Sequence, residues 1–281
     1  MSKIFDKKAC GIKFHGEIFN SAMEVVEVGE HRDITDSEFD NVRTSRNARP
    51  EFRGVSSYKE ACDLLTGGYQ PTVEAMRGVF KAKTDGMGKR FSFQNAVVGF
   101  APVVPLALKG VPNCMIDMRM KPMKAKIIDV YYDMVVNCGI ASEDIIKAGQ
   151  TLLGTIIEME RQGYRFNLYA VQTYYRDDSS DMLVVKVKSD SQPLDLKRIS
   201  FPLTHTGFFR SIGFDWYSRV PGGTYRYGYG GAIGYSKSRE ELNKIAHELF
   251  GQNAVWFFCT EIMRRDKEYI KEVVSNGNSK S

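Results

Sequence analysis

Residues 126–136 read Lys-Ile-Ile-Asp-Val-Tyr-Tyr-Asp-Met-Val-Val, a run in which β-branched and aromatic side chains predominate. This composition predicts a strand that is covered on both faces, as in the centre of a parallel sheet. A helix is expected to follow, because Ser142, Glu143 and Asp144 favour a helix N-terminus. A second strand is predicted over residues 164–175. Together they form a βαβ unit, which implies a parallel pair joined by a right-handed crossover.

The predicted helix has an apolar stripe at helical spacing and is expected to end at Gly163. The stripe consists of Ile145, Ile146, Gly149, Leu152, Leu153, Ile156 and Ile157. Strands are also predicted at 183–188 and 254–259, with helices at 239–250 and 265–274. Because strands alternate with amphipathic helices, the sequence predicts a three-layer α/β fold with an open, Rossmann-like sheet.

The first half of the chain is interpreted as an appendage to this fold. Residues 1–50 are polar and charged, with a short alternating piece from Ile12 to Phe19 and little periodicity elsewhere, which indicates an extended arm that could order against a partner. Two helices are predicted, one between Ser56-Ser57 and Gly67-Gly68 and one from Pro71 to Lys83. The expected organisation is an extended charged arm over residues 1–50, a helical appendage with a buried proline-rich loop over 51–115, the α/β domain over 116–275 and a disordered tail over 276–281.

Composition restricts the classes of partner. The net charge of the 281-residue chain is +5, from 39 basic and 34 acidic residues, so nucleic-acid binding is permitted but not required. The five cysteines are widely spaced without a C-x-x-C pair, which predicts buried free thiols in a reducing compartment. No stretch approaches the ~20 apolar residues that span a bilayer, and Met1 to Lys8 are charged and lack the apolar region of a signal peptide. We therefore expect a cytoplasmic protein, in the host cytoplasm if it is viral, with no membrane partner.

Three stretches carry a resemblance to known proteins. They are Phe52-Arg53-Gly54-Val55-Ser56-Ser57-Tyr58-Lys59-Glu60-Ala61 with the following Gly67-Gly68, the segment from Gly99 to Met115, and residues 201–210. The first two stretches resemble an uncharacterised family of phage and mobile-element proteins. The order of the elements, with residues 201–210, resembles a degenerate von Willebrand A-like domain. The resemblance spans about residues 50 to 275, and it implies a viral or mobile-element origin without assigning an activity.

A metal site of the A-domain type needs Asp-x-Ser-x-Ser directly after the first strand, because hydroxyl and carboxylate oxygens ligate a hard divalent cation. Asp129 and Asp133 are the acidic residues in this region, and neither is followed by the two serines. The resemblance therefore implies a lost metal site. We expect neither a metal nor another cofactor.

A Gly/Tyr-rich segment is the main candidate for binding. Residues 225–235 read Tyr-Arg-Tyr-Gly-Tyr-Gly-Gly-Ala-Ile-Gly-Tyr, and a phosphate-binding P-loop would need lysine where Tyr235 stands. The tyrosines and nearby cations could stack on single-stranded bases or contact a protein. His205 and Arg210 could orient a phosphate or carboxylate, or they could serve the fold alone. The candidate residues for nucleic-acid or partner binding are Tyr225, Arg226, Tyr227, Tyr229, Tyr235, Lys237, Arg239, His205 and Arg210.

The sequence is compatible with three functions. The first is a non-enzymatic phage or mobile-element protein that binds a protein partner, either a second copy of itself or a host complex. The second is a protein that associates with single-stranded nucleic acid through the Gly/Tyr-rich segment. The third is an enzyme with a carboxylate site, because Asp129 and Asp133 share one face of a strand. For these two carboxylates, a solvated or ion-paired arrangement is the alternative.

Overall fold

The computed structural model describes residues 2–30, 50–81, 89–122, 126–219 and 231–276. In chain order the elements are β1 (Lys3–Ala9), β2 (Ile12–Phe19), α1 (Ala22–Glu30), α2 (Pro50–Arg53), α3 (Tyr58–Gly67), α4 (Gln70–Lys81), β3 (Lys89–Ala96), β4 (Ala101–Pro102), α5 (Val104–Leu108), β5 (Met115–Pro122), β6 (Lys126–Asp133), α6 (Ser142–Arg161), β7 (Tyr164–Arg176), β8 (Ser179–Lys188), α7 (Leu196–Thr204), a π-helical segment (Phe208–Gly213), α8 (Phe214–Arg219), a 3₁₀ turn (Ile233–Tyr235), α9 (Arg239–Phe250), β9 (Ala254–Phe258), α10 (Cys259–Ile262) and α11 (Lys267–Asn276).

A six-stranded sheet in the order β1–β2–β8–β7–β6–β9 forms the centre of the fold. β6 lies parallel to β7 and β9, and β2 lies parallel to β8, whereas β1/β2 and β7/β8 are antiparallel. Lys126 pairs with Tyr164 and Asp133 with Val171, so the predicted parallel pair is confirmed. The protein is therefore a mixed α/β fold with a mostly parallel central sheet flanked by helices.

Alternate residues of β6 pack into different hydrophobic clusters, because successive side chains of a strand point to opposite faces. Ile128, Val130 and Tyr132 belong to the larger cluster, which includes residues of α6, α7, α10 and α11. Tyr131 belongs to the second cluster, which includes Trp256 of β9 and the buried face of α9. Helices therefore cover both faces of β6, which explains its nearly continuous apolar sequence.

The long helix α6 packs very closely against α7. Its predicted stripe is buried except for Ile146, which is half-buried. At Gly149 an added Cβ would lie 2.3 Å from the Leu203 carbonyl oxygen, so only glycine permits this approach of the two backbones. Ser142 is the first residue of the helix, and Ala141 occupies the cap position without a side-chain bond. The predicted helix start at Ser142 is therefore confirmed, with Glu143 and Asp144 in the first turn.

The prediction of an extended arm over residues 1–50 is wrong for the described part of that range. β1 and β2 form a hairpin whose second strand joins β8, with Lys13 opposite Ser179. Phe14 and Phe19 are fully buried, one in each hydrophobic cluster. The alternation of the short segment 12–19 was the signal for this strand. Its partner β8 is remote in sequence, so the pairing could not be read from the segment itself.

The two helices predicted after the arm are present as α3 and α4. The Ser57 hydroxyl accepts a hydrogen bond from the Glu60 amide at 3.0 Å, which is an N-terminal cap. Gly68 ends α3 with a φ of +77°. Both helices contact α7, so they pack directly against the helical layer of the α/β core.

Residues 89–122 form a separate three-stranded antiparallel sheet in the order β3–β5–β4. Lys89 pairs with Pro122, which places the two ends of this segment side by side. We call residues 89–122 the docking module, because its exposed apolar side chains make it a candidate surface for contact with another molecule. The predicted boundary at residue 115/116 cuts through β5 and is therefore misplaced. The predicted burial of the proline-rich loop is also wrong, because Val104 and Leu108 of α5 are exposed.

Candidate functional site

Most of the large apolar side chains that are exposed in the described part of the chain lie in the docking module. Among the described residues, eight of the twelve exposed large hydrophobic side chains lie in it. Leu108 and Val98 are the most exposed, at 84% and 80%. The eight are Phe93, Val97, Val98, Phe100, Val104, Leu108, Val111 and Met118. Such a concentration marks a contact surface, since single apolar residues scattered on a surface need no explanation but a cluster does.

Strand pairing places several of these side chains on one face of the small sheet. Phe93 lies directly opposite Met118 across β3 and β5. The rings of Phe93 and Phe100 are 6.4 Å apart, which is within the range of a favourable aromatic pair. At Gly99 an added Cβ would lie 2.2 Å from the Ile116 carbonyl oxygen, so glycine is needed where the chain folds back over β5.

The module does not bury this face against the rest of the described protein. Neither hydrophobic cluster includes a residue of the segment 89–122. β3 is an edge strand of the small sheet, and among the described residues its outer edge pairs with no other strand. An unpaired edge beside exposed apolar side chains is a surface on which another polypeptide can pack.

Only part of the Gly/Tyr-rich segment lies within the described structure. Tyr225, Arg226, Tyr227 and Tyr229 lie outside the described residues, so their predicted binding role stays a prediction. Tyr235 is exposed, and its hydroxyl accepts a hydrogen bond from the Asn137 amide at 3.4 Å. Lys237 is half-buried just before α9.

Arg239 is held within the fold. Its guanidinium donates to the Trp256 carbonyl at 2.7 Å and forms an ion pair with Glu261 at 3.1 Å. It also lies over the Phe257 ring at 5.3 Å. These contacts tie the start of α9 to β9 and α10. The described contacts of Arg239 are therefore those of a structural residue.

His205 lies in an aromatic pocket at the end of α7. Its ring is 4.4 Å from Tyr69 and 5.3 Å from Phe201, measured between centroids. Its Nδ1 accepts a hydrogen bond from the Gly207 amide at 3.0 Å. Burial lowers the pKa of His205 to about 4, although Glu60 acts in the opposite direction. The imidazole is therefore neutral at pH 7 and supplies no positive charge to a phosphate.

Arg210 is also buried, in the π-helical segment. Its guanidinium donates to the Phe52 carbonyl at 2.8 Å and to the Ile140 carbonyl at 3.5 Å, and it stacks on the Phe52 ring at 4.2 Å. Burial lowers its pKa. These contacts favour the structural alternative for both His205 and Arg210.

The two carboxylates of β6 face the same side of the sheet but do not form a pair. Four residues of strand separate them, which corresponds to about 13 Å. Asp129 accepts a hydrogen bond from Asn167 at 2.6 Å. Asp133 is fully buried and accepts hydrogen bonds from the Thr173 hydroxyl and the Val135 amide. Paired acid–base catalysis needs closer carboxylates, so no observation on the described residues favours the enzyme hypothesis.

Sequence reasoning missed a buried polar cluster at the carboxyl ends of β6 and β9. Tyr132 and Cys259 come together there, and Asp133 lies close by. Burial raises the pKa of the Cys259 thiol to about 12, although the Tyr132 hydroxyl lowers it. A thiol with such a pKa is protonated and unreactive at neutral pH. All five cysteines are free, but only Cys259 is buried, so the prediction of generally buried thiols is wrong.

A cleft of about 260 Å³ lies beside α7, where it is lined by Lys188, Asp195 and Arg198 among others. The Lys188 ammonium in this cleft is already bound, to Glu160 at 2.8 Å and to the Phe166 carbonyl at 3.1 Å. Within the described ranges no three His, Cys, Asp or Glu side chains cluster as metal ligands would. None of the described helices is long and apolar enough to cross a bilayer.

Comparison with known proteins identifies a family but no activity. No curated protein and no solved structure matches the chain significantly. One family model, described as a domain of unknown function (DUF7192), matches residues 15–268. The match runs from β2 to α11 and so includes both the central sheet and the docking module. The chain therefore belongs to the DUF7192 family.

Proposed function

We propose that the protein acts by binding another protein, as a scaffold or as a factor that interferes with a complex, through the docking module. The observation that carries this proposal is the concentration of exposed apolar side chains in residues 89–122. Soluble monomers rarely expose clustered apolar side chains without a use for them. The module contributes to neither hydrophobic cluster, so burial against a partner is the role that its apolar face fits best.

The resemblance to phage and mobile-element proteins supports two kinds of partner, a host complex and a second copy of the chain. Among the described candidates, His205 and Arg210 are buried and Asp129 lies far from Asp133, whereas the docking module presents a cluster of accessible apolar contact residues. Both kinds of partner are tested by the same experiment, because each would cover the module.

Site-specific photo-crosslinking tests the proposal. A benzoylphenylalanine in place of Leu108, in cells that make the protein, should give a discrete covalent adduct with a partner. The same group in place of Ile4, which is 63% exposed on β1, is the matched control. The adduct should disappear when Val98→Asp is added, because a buried charge without a partner costs several kcal/mol at an apolar contact.

The outcome is decided by comparing the two positions. An adduct that forms from position 108 alone and is sensitive to Val98→Asp supports the proposal. If position 108 gives no adduct, or gives the same adducts as position 4, the module is not the contact surface. Adduct mass then separates self-association from a foreign partner.

We also propose that the core is a von Willebrand A-like domain without a metal site. The order β8–β7–β6–β9, with β6 as the first strand, agrees with the 3-2-1-4 order of doubly wound sheets. Asp133 ends β6, where a metal site of this type would begin, but the residues after it are Met134, Val135 and Val136. Mg²⁺ or Ca²⁺ at millimolar concentration should leave the melting temperature unchanged. A rise that Asp133→Asn abolishes would contradict this proposal.

A further inference from the structure

The docking module carries most of the excess positive charge of the chain. Residues 89–122 contain five basic residues and one acidic residue, Asp117, an excess of four charges against five for the whole sequence. The basic residues are Lys89, Arg90, Lys109, Arg119 and Lys121. Two modules that faced each other would bring these like charges together, which is unfavourable. The partner surface should therefore be acidic as well as apolar.

The composition of the module favours a polypeptide over a lipid surface or a nucleic acid. Residues 89–122 contain no tryptophan and no tyrosine, the residues that anchor proteins at membrane interfaces. Six of the eight exposed apolar side chains are valine, leucine or methionine, which do not stack on bases as aromatic rings do. Methionine is also common where a protein surface adapts to another protein. An acidic, apolar polypeptide segment fits the module best.

The chain itself contains such a segment. Residues 33–40 read Asp-Ile-Thr-Asp-Ser-Glu-Phe-Asp, with four carboxylates, no basic residue and two large apolar side chains. The charge of this segment, −4, is equal and opposite to the excess of the module. The segment lies outside the described residues, and the chain that follows it enters the described structure at Pro50.

The described structure places the module and that following chain at opposite ends of the sheet. Pro122 is four residues before Lys126, so the module adjoins the amino end of β6. The described chain resumes with α2, ten residues after Asp40, and the Phe52 carbonyl of this helix accepts a hydrogen bond from Arg210. Arg210 also reaches Ile140, beyond the carboxyl end of β6. The eight residues of β6 separate these ends by about 26 Å, and the ten residues from Asp40 to Pro50 span at most about 36 Å, so a contact within one chain requires that stretch to be largely extended, whereas a contact between two copies does not.

We propose that residues 33–40 of one copy bind the docking module of a second copy, in a head-to-tail contact. This inference rests on the proposed function and names its partner. A contact between two different surfaces of identical chains leaves one surface unused at each end of a dimer. Such a contact can therefore extend into a ring or a filament.

Mixing two complementary variants of the full chain tests the inference by mass photometry and sedimentation. Asp36→Lys/Glu38→Lys should inactivate the acidic segment, and Val98→Asp should inactivate the module. Each variant alone should be monomeric, with at least a tenfold weaker self-association than the unmodified protein. The mixture should form 1:1 dimers and nothing larger, because it retains one intact segment and one intact module. High salt should weaken those dimers.

Two control variants make the same chemical changes elsewhere. Glu27→Lys/Glu74→Lys reverses two exposed carboxylates on α1 and α4, and Ile4→Asp places a charge on a similarly exposed apolar residue. Both should assemble like the unmodified protein. Thermal melts of all variants should coincide, since every described position that is changed is exposed.

The inference is overturned if the unmodified protein stays monomeric at all concentrations, or if the mixture forms no dimers. If the unmodified protein assembles but the mixed variants stay monomeric, the segment binds the module of its own chain or does not bind a module at all. In either case the photo-crosslinking experiment tests the proposed function separately. A covalent adduct between position 108 and a different protein would support the proposed function, and the absence of any adduct would contradict it.

Discussion

Among single residues, Asp133 carries a carboxyl group whose pKa is strongly raised by burial. Burial raises its pKa from 3.8 to about 7, even though the hydrogen bonds from Thr173 and Val135 lower it. Between about pH 4 and pH 7 the folded state therefore holds a proton that the unfolded state has lost. The contribution of Asp133 to stability is present below about pH 4 and is lost as pH rises to 7.

Asp133→Asn should remove this dependence, because the amide is neutral at every pH and can still accept the Val135 hydrogen bond. The stability of the variant relative to the unmodified protein should increase with pH between 4 and 7, by up to about 1.4 kcal/mol per pH unit. Urea titrations at several pH values measure this difference. Parallel pH profiles for the two proteins would show that Asp133 is ionised in the folded state.

Arg210 is expected to act as a structural link between α2 and the segment after β6. Arg210→Lys should destabilise the protein by about 1–3 kcal/mol, because a single ammonium cannot keep both carbonyl hydrogen bonds and the stacking on Phe52. Arg198→Lys makes the same change at an exposed position of α7 and should alter stability by less than about 0.5 kcal/mol. Urea denaturation measures both effects.

Inorganic phosphate distinguishes the structural role of Arg210 from an anion-binding role. Phosphate should not raise the melting temperature of the unmodified protein beyond the effect of an equal ionic strength of chloride. A specific rise that is lost in Arg210→Lys would restore the anion-binding hypothesis for this residue.

At the level of elements, two glycines of α6 should respond in opposite ways to the same substitution. Gly149→Ala should destabilise the protein by more than about 2 kcal/mol, because its Cβ would meet the Leu203 carbonyl at 2.3 Å. Gly154→Ala should stabilise it by about 0.5–1 kcal/mol, since the nearest atom, Met76 Sδ, is 3.9 Å away. Thermal unfolding of both variants gives the comparison. Similar changes for the two would mean that α6 and α7 are farther apart.

Elements with a strong local pattern were predictable, and elements that depend on remote partners were not. The helix α9 was predicted with its observed bounds, 239–250, because its serine cap and apolar spacing are local signals. The strand β2 was only noted as a short alternating piece, since its place in the sheet depends on β8. The small sheet of the docking module was missed because its prolines suggested a loop.

At the level of the whole molecule, the docking module should be removable without unfolding the core. Lys89 and Pro122 lie opposite each other in the pairing of β3 with β5, so their Cα atoms are about 5 Å apart. A Gly-Ser-Gly linker can therefore replace residues 89–122. The melting temperature should change by no more than a few degrees, because neither hydrophobic cluster loses a residue. Circular dichroism during heating measures the melting temperatures of the shortened and the full-length protein.

Removing residues 2–20 is the matched control. That deletion takes away β1 and β2 with the buried Phe14 and Phe19, so it should abolish cooperative unfolding. If loss of the docking module had the same effect, the module would be part of the core and not an independent contact surface.

The sequence by itself determined the βαβ unit and the covered central strand. Their apolar periodicities are properties of neighbouring residues, and water imposes burial wherever such a pattern occurs. It also indicated how charge is distributed along the chain, with a basic segment at 89–122 and an acidic one at 33–40. It could not tell which apolar residues remain on the surface.

Only the tertiary structure decided that question. Val98 and Leu108 are no less apolar than Val130 or Leu152, and only the position of the small sheet outside the two clusters leaves them exposed. In the same way, the sequence left open whether Arg210 and His205 bind a ligand or serve the fold alone, and both are buried by elements that are distant in the chain. Burial is a property of the assembled molecule, because it depends on which remote elements remove a side chain from water.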